Sequence, residues 1–284
     1  MMKTNIIIAI LAALVLPPVA GRAQSAAEFK EKYERQVRNA GADGVGVEYI
    51  LDSWAAAYPD DAEMYKGRFL YHFAKGRSSR VEERASKSFL GQEPMLTLKD
   101  QNGNPVYYYD VPVYDEEYFG QAIKDIEVAI KLAPDEIGYR FDKISALIGY
   151  EGGSPDMSSA ELISLMEYNF TKHPHWTYAG EPFSETDFSQ SMQEYCFTLF
   201  RMDTPAALEH FRNLSARMSR YEPRNADWVS NEGAYWQKAE KNYKKALKCY
   251  NKALKMDPDN YAAKQNISII NRLQKLGDKN NKKQ

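Results

Sequence analysis

One run near the carboxyl end places small, aromatic and helix-ending residues at fixed intervals. In KNYKKALKCYNKALKMDPDN, Ala246, Tyr250 and Ala253 recur at helical spacing, and Pro258 follows five residues later. Residues three and four apart lie on one face of a helix, and small residues on that face let another backbone approach closely. Proline cannot continue a helix. The run therefore predicts one helix of a tightly packed helix pair.

The same spacing occurs a second time in the first half of the chain. Ala122, Ile126 and Ala129 repeat the helical intervals, and Pro134 again follows five residues after the last of them. A repeated unit of this kind buries its apolar face by stacking on its neighbours. The sequence before this second run is β-like, so it predicts a repeat that lacks a complete first helix.

Both runs resemble the second helix of a tetratricopeptide repeat (TPR). The resemblance is most specific over residues 225–258 and implies a mainly α fold, a helix-hairpin solenoid of degenerate repeats with one inserted β-hairpin. It also implies a scaffold that binds a protein or peptide. The order of motifs resembles exported TPR proteins of Bacteroidetes-type bacteria. One TPR subgroup grips a terminal carboxylate, but Ser230, Ala234 and Gln237 do not reproduce its residue set.

The first 23 residues are typical of a secretory signal peptide. Lys3 precedes an apolar run from Ile6 to Leu16, and small residues lead to Ala23, where we place cleavage, with Gln24 as the alternative. The run is shorter than the about 20 residues that span a bilayer, which disfavours a retained anchor. No cysteine follows it for lipid attachment. We therefore expect a periplasmic or secreted protein with no membrane span after cleavage.

Charge and cysteine content exclude some classes of function. Removal of the signal segment leaves 35 basic and 39 acidic side chains, so nucleic acid is not an expected partner. The two cysteines, Cys196 and Cys249, lie in separate predicted helices. A disulfide would need those helices to be adjacent, and we favour free, buried thiols over that alternative.

Apolar periodicity predicts one TPR-like domain over residues 24–276, with a disordered polar tail at 277–284. Proline, glycine and capping residues set the predicted ends of the helices. The predicted helices cover 26–40, 45–57, 62–75, 115–132, 136–150, 158–172, 183–202, 204–221, a repeat over 225–258, and a capping helix at 260–276.

A β-hairpin is predicted at about residues 94–111. Asn102-Gly103 suits a turn with positive φ at both central positions, and β-prone runs flank it at Met95–Leu98 and Val106–Tyr109. Tyr107 and Tyr109 are candidate partner contacts, because tyrosine is common at interfaces. The alternative is that these rings cover a neighbouring helix.

Two further groups of residues are candidate contacts. Arg140 and Lys143 lie beside the apolar stripe of their helix, where they line a groove or remain solvated surface. Trp176 and Tyr178 belong to the loop HPHWTYAGEPF. Flat aromatic faces near carboxylates suit sugar rings, so a glycan-binding accessory protein is the alternative function, and a loop that fills a gap between helices is the structural alternative.

Catalysis is not expected from this sequence. It has four histidines and lacks the Gly-x-Ser-x-Gly elbow, the phosphate-binding glycine loop and the His-Glu-x-x-His helix. His173 and His175 are too close and too isolated for a metal site. We expect no cofactor and no metal, although distant carboxylates brought together by folding remain an alternative route to an enzyme.

The small-residue contact is testable by overpacking. We expect Ala246→Leu to lower the free energy of unfolding by about 1–3 kcal/mol, because added methylenes force neighbouring rotamers and backbones to shift. Replacement of Lys248 by Ala, two residues away on the solvent side, should change it by less than about 0.5 kcal/mol. Denaturant titration of both variants measures this, and an unaffected Ala246→Leu protein would contradict the predicted helix pair.

Overall fold

The computed structural model describes residues 24–281, with side chains described as far as residue 275. The eleven helices of that range are α1 (Ala26–Ala40), α2 (Val47–Ala57), α3 (Ala62–Lys75), α4 (Glu116–Leu132), α5 (Ile137–Glu151), α6 (Asp156–Lys172), α7 (Glu185–Met202), α8 (Pro205–Tyr221), α9 (Ala226–Lys238), α10 (Tyr243–Met256) and α11 (Tyr261–Asn281). The strands are β1 (Arg77–Arg84), β2 (Leu96–Lys99), β3 (Pro105–Tyr114), β4 (Thr177–Tyr178) and β5 (Glu181–Pro182).

Capping residues explain why several helices begin at or near their predicted first residues. Ser25 and Glu28 form a reciprocal capping box at α1, and the Thr204 hydroxyl accepts a hydrogen bond from the Ala207 amide at α8. The last helix is the exception, because α11 continues to Asn281 rather than ending at 276. The predicted signal peptide and the final three residues lie outside the described range.

The helices form five successive pairs, α1/α2, α3/α4, α5/α6, α7/α8 and α9/α10, and α11 packs against the last pair. Each pair also contacts a neighbour, so the apolar core continues along the array. One cluster joins α1 to α3, a second joins α3 to α5, the largest spans α5 to α9, and the last joins α9 to α11. The predicted fold class, a mainly α helix-hairpin solenoid with one β insertion, is confirmed.

The repeat positions form the close contacts that their spacing predicted. The fully buried members are Ala122, Ile126, Ala129, Ala246, Tyr250 and Ala253. Pro134 and Pro258 each follow the residue that caps the end of the preceding helix. On α9, Gly233 leaves room for the Tyr250 ring, and the Tyr250 hydroxyl donates a hydrogen bond to Gln237 Oε1 at 2.7 Å.

The β insertion is a three-stranded antiparallel sheet, larger than the predicted hairpin. Its strand order is β1-β3-β2, and β1 was not predicted because RSSRVEER is charged and has no apolar alternation. Pairing with β3 overrides that weak local preference. The insertion begins and ends at one point, where the Asp115 amide donates to the Gly76 carbonyl at 2.8 Å.

That geometry shows that the repeat containing α4 has a complete first helix, so the prediction that this helix is missing is wrong. The insertion separates α3 from α4 in sequence, yet the two helices pack along each other, and Phe69 of α3 shares a cluster with Ala122 and Ile126 of α4. Helix α3 is therefore the first helix of this repeat. The sheet interrupts the loop between the two helices of one unit.

The turn of the predicted hairpin also differs from the expected form. Only Gly103 has a positive φ, at 83°, and the Asp100 amide donates to the Asn104 carbonyl at 2.9 Å. The Asp100 carboxylate accepts the amides of Asn102 and Asn104, both at 2.8 Å. The turn is therefore a three-residue loop with glycine in the left-handed position, in which Asp100 stabilises the backbone.

The contact of Gly233 with Tyr250 leads to a stability test. A Cβ at Gly233 would lie 2.6 Å from Tyr250 Cε1, closer than carbon atoms can approach. We expect Gly233→Ala to destabilise the protein by about 1–3 kcal/mol. Gly120→Ala in α4 is the matched control, because nothing lies within 4 Å of its Cβ position and alanine favours a helix over glycine by up to about 1 kcal/mol. Equal effects in thermal melts would contradict this packing.

Candidate functional site

A cleft with a volume of about 830 Å³ lies between the first helix pair and the start of α5. Helices α1 and α3 form one wall, and residues 133–139 and 177–180 form the other. The side chains that matter most to its chemistry are Lys30, Tyr33, Glu63, Lys66, Glu136, Tyr139 and Tyr178. The cleft thus lies where three helix pairs and the short β4–β5 hairpin meet.

Aromatic rings give the cleft a buried, apolar floor. Tyr33 and Trp54 belong to the core of the first three helices, and Tyr139 of α5 is equally buried. The Trp54 indole N–H donates to Asp61 Oδ2 at 2.9 Å, which fixes the ring. Burial raises the pKa of the Tyr33 phenol to about 12. These rings therefore offer a rigid apolar surface rather than a titrating group.

Glu63 links the two walls of the cleft. Its carboxylate pairs with Lys30 Nζ of α1 at 2.7 Å and accepts the hydroxyl hydrogen of Tyr139 from α5. Burial acts to raise the pKa of Glu63, but the hydrogen bonds from Lys30 and Tyr139 outweigh it and hold that pKa below its usual value. The carboxylate thus remains ionised at neutral pH and ties α1, α3 and α5 together.

Other charges at the cleft also have partners. Arg38 Nη1 lies 3.7 Å from Glu34 Oε2 on the same helix. Lys66 Nζ lies 3.5 Å from Asp142 Oδ2, which is buried and accepts no hydrogen bond within the described residues. Burial raises the pKa of Asp142. The rim therefore carries both signs of charge, largely neutralised in pairs.

Glu136 positions the hairpin that closes one side of the cleft. Its carboxylate accepts four hydrogen bonds, from the amides of Gly138, Ala179 and Gly180 and from the Thr177 hydroxyl, at distances of 2.9–3.3 Å. Ala179 and Gly180 have φ values of 51° and 82°, which is typical of a two-residue type I′ turn. The segment predicted as a loop thus contains a hairpin attached to the amino end of α5.

Tyr178 is the exposed aromatic residue of this hairpin. Its ring is 52% exposed, and its centroid lies 6.4 Å from that of Phe141 and 6.0 Å from that of Phe183. The ring also lies over Gly138, where a Cβ would come within 3.4 Å of it. One face of Tyr178 is therefore packed while the rest is exposed, and its role as a partner contact stays a prediction.

Two of the predicted contact residues are buried instead. Tyr109 is 1% exposed, packs against Phe89 and donates its hydroxyl hydrogen to the Ser86 carbonyl at 2.9 Å. Trp176 is 5% exposed, and its indole N–H donates to Asn169 Oδ1 at 2.8 Å. Neither ring offers a face to a partner, because the insertion and the aromatic loop fold back over them. The alternative function, glycan binding, depended on an exposed face of the Trp176 indole, and that face is buried.

The other predicted contacts have mixed environments. Lys143 is nearly covered and pairs with Glu127 at 2.9 Å and Glu161 at 2.7 Å, so it joins α4, α5 and α6 rather than facing a groove. Arg140 is half-buried against the rings of Tyr168 and Trp176. Tyr107 is half-buried in the sheet, and its role as a contact stays a prediction.

Sequence reasoning missed Tyr33, Glu63 and Tyr139 as residues of one site. They lie on three helices that are distant in sequence, and each fits an ordinary amphipathic pattern. Glu136 carried a weak signal, because an acidic residue after Pro134 is a typical start of a helix. No sequence pattern predicts its contact with residues 177–180, because that contact depends on how the loop folds back onto α5.

The described part of the chain contains no cluster of metal ligands and no helix that could span a membrane. Among residues 24–275, no group of three or more His, Cys, Asp and Glu side chains is arranged to hold a metal ion. Of the helices in the described range, none combines the length and apolarity needed to cross a bilayer.

His72 and the two cysteines each have a defined environment. His72 Nδ1 lies 2.7 Å from the buried Asp125 carboxylate. Cys196 and Cys249 are free thiols, the first buried and the second half-buried.

No protein-family model and no curated protein sequence matches this chain. Among solved structures, YrrB, a TPR protein with an unusual peptide-binding site, shares 13% identity over 86% of this chain and 92% of that chain, with a TM-score of 0.39. MamA from Desulfovibrio magneticus RS-1 shares 10% identity over 83% and 97%, with a TM-score of 0.37. These likenesses are too distant to assign a partner or a function.

The role of Glu136 can be tested by amide exchange. We expect Glu136→Ala to speed hydrogen exchange at the Ala179 and Gly180 amides and to lower stability by about 1–3 kcal/mol, because four donors lose a charged acceptor. Glu181→Ala, an exposed substitution on the same hairpin, is the control and should leave both amides protected. Unchanged exchange in Glu136→Ala would show that the hairpin is held by other contacts.

Proposed function

We propose that the protein is an exported, non-catalytic scaffold that binds an extended peptide segment of a partner protein in the cleft between α1, α3 and α5. The observation that supports it best is the cleft itself, which is open to solvent, has an apolar aromatic floor and lies at the junction of three helix pairs. Its volume lies within the range of about 300–1,000 Å³ that is common for ligand sites.

The chemistry of the walls favours a peptide over a strongly charged ligand. Lys30, Arg38 and Lys66 face acidic residues close by, so the cleft has no large uncompensated charge. A peptide brings apolar side chains for the floor and amide groups for a polar rim, a combination typical of peptide recognition. Tyr178, packed on one side and exposed on the other, is the side chain best placed as an anchor.

We propose a non-catalytic role because the acidic groups of the cleft already have hydrogen-bond and ion-pair partners. Glu63 is engaged by Lys30 and Tyr139, and Glu136 by four donors of its own chain. A general acid or base needs a free group within hydrogen-bond reach of a substrate. Both carboxylates are better explained as structural links that fix the shape of the cleft.

Export is part of the proposal because of the first 23 residues, which are typical of a signal peptide. The partner would then be a periplasmic, outer-membrane or secreted protein. Precursor processing during expression, read by mass spectrometry of the mature amino terminus, tests this part separately. A mature chain that begins at Gln24 or Ser25 supports export, and an unprocessed chain opposes it.

Crosslinking in intact cells tests the cleft. A photoreactive phenylalanine analogue at position 178 should capture a partner peptide, and the same analogue at Tyr49, which is 72% exposed on α2 outside the cleft, should not. A synthetic peptide of the captured segment should bind the wild-type protein, and Tyr178→Ala should weaken that binding about 10-fold or more, as for an interface anchor. Tyr49→Ala should bind normally. Equal capture at both positions would contradict the cleft as the binding site.

A further inference from the structure

Arg140 of α5 forms no ion pair with any other residue that the structure describes. Its guanidinium carbon lies 5.1 Å from the ring centroid of Tyr168 and 5.5 Å from that of Trp176. Its Nε is buried and has no hydrogen-bond partner within the described residues. Glu161 and Asp135 both lie near enough to favour its charged form, but neither forms an ion pair with it within residues 24–275, and Glu161 pairs with Lys143 instead. Burial nevertheless lowers the pKa of the Arg140 guanidinium.

Such an arrangement is unusual because a buried charge normally has a partner of opposite sign. Contact with the aromatic rings compensates part of that cost. It leaves the guanidinium N–H groups, the Nε–H among them, without an acceptor in the described residues. Those groups match the two oxygens of a carboxylate, with which arginine forms paired hydrogen bonds.

A second arginine also lies against a tyrosine and a tryptophan, and it forms an ion pair. Arg212 of α8 lies 4.9 Å from the ring centroid of Tyr235 and 5.4 Å from that of Trp236. Its Nη1 lies 3.6 Å from the carboxylate of Glu209, which also accepts the Tyr235 hydroxyl hydrogen at 3.0 Å. Arg140 likewise lies against a tyrosine and a tryptophan, but it has no carboxylate partner among the described residues.

We propose that Arg140, packed against the adjacent rings of Tyr168 and Trp176, is a binding site for a carboxylate supplied by a partner molecule. The Tyr168 hydroxyl forms no hydrogen bond within residues 24–275, so it is a second available donor, as Tyr235 is for Glu209. Arg140 and Trp176 are each one residue from a cleft-lining residue, Tyr139 and Thr177. The carboxylate site is nevertheless separate from the cleft and does not depend on its function.

Side-chain NMR of the intact protein tests the proposal directly. The Nε–Hε signals of Arg140 and Arg212 are assigned by their loss in Arg140→Lys and Arg212→Lys. Titration with acetate should give a saturable shift of the Arg140 signal and leave the Arg212 signal in place, because Glu209 already occupies that site. Neutral acetamide, which has nearly the same shape, should shift neither signal.

A gain-of-site variant provides the matched control. Glu209→Gln removes the carboxylate from Arg212, so acetate should then shift both arginine signals. N-acetylglutamic acid amide and N-acetylglycine distinguish a side-chain carboxylate from a terminal one, and tighter binding of either identifies the source. The proposal is wrong if acetate leaves the Arg140 signal unmoved, or if acetate and acetamide shift it equally.

Discussion

Close approach between helix backbones is the constraint on which the rest of this structure depends. Ala246 and Ala253 are fully buried on α10, and Gly233 on α9 admits the Tyr250 ring where any side chain would collide with it. Because such contacts bring the helices of a pair together, the apolar face of each pair is left for its neighbours. The continuous core from α1 to α11 follows from that repeated contact.

The cleft lies where the stacked helix pairs meet the short β4–β5 hairpin. The hairpin at residues 177–182 would have no support of its own, since two-residue strands bury little surface. Glu136 supports it by accepting four hydrogen bonds, and Glu63 joins three helices across the floor. These two acidic side chains thus fix the shape of the cleft. The segment that carries the β4–β5 hairpin also buries Trp176, and it leaves Tyr178 exposed and Arg140 half-buried.

Sequence patterns predicted the helices well because capping and periodicity are local. Ser25, Thr204 and the prolines after α4 and α10 mark boundaries that neighbouring residues alone enforce. Strand β1 was missed because RSSRVEER carries no strand pattern, and its conformation depends on β3, about 30 residues away. Sequence alone left open whether Tyr109 and Trp176 contact a partner or cover a neighbouring element, because aromatic residues in loops look alike in sequence whether they are covered or not.

The sequence by itself determined the helical repeat class, the ends of most helices and the small-residue contacts at Ala122 and Ala246, since all of these follow from spacing along one helix. Only the tertiary structure decided that α3 and α4 form one pair around the inserted sheet, and that Tyr33, Glu63 and Tyr139 meet in a cleft. It also decided that Arg212 forms an ion pair and that Arg140 forms none within the described part of the chain. These outcomes depend on contacts between distant segments, whose energies no local pattern encodes.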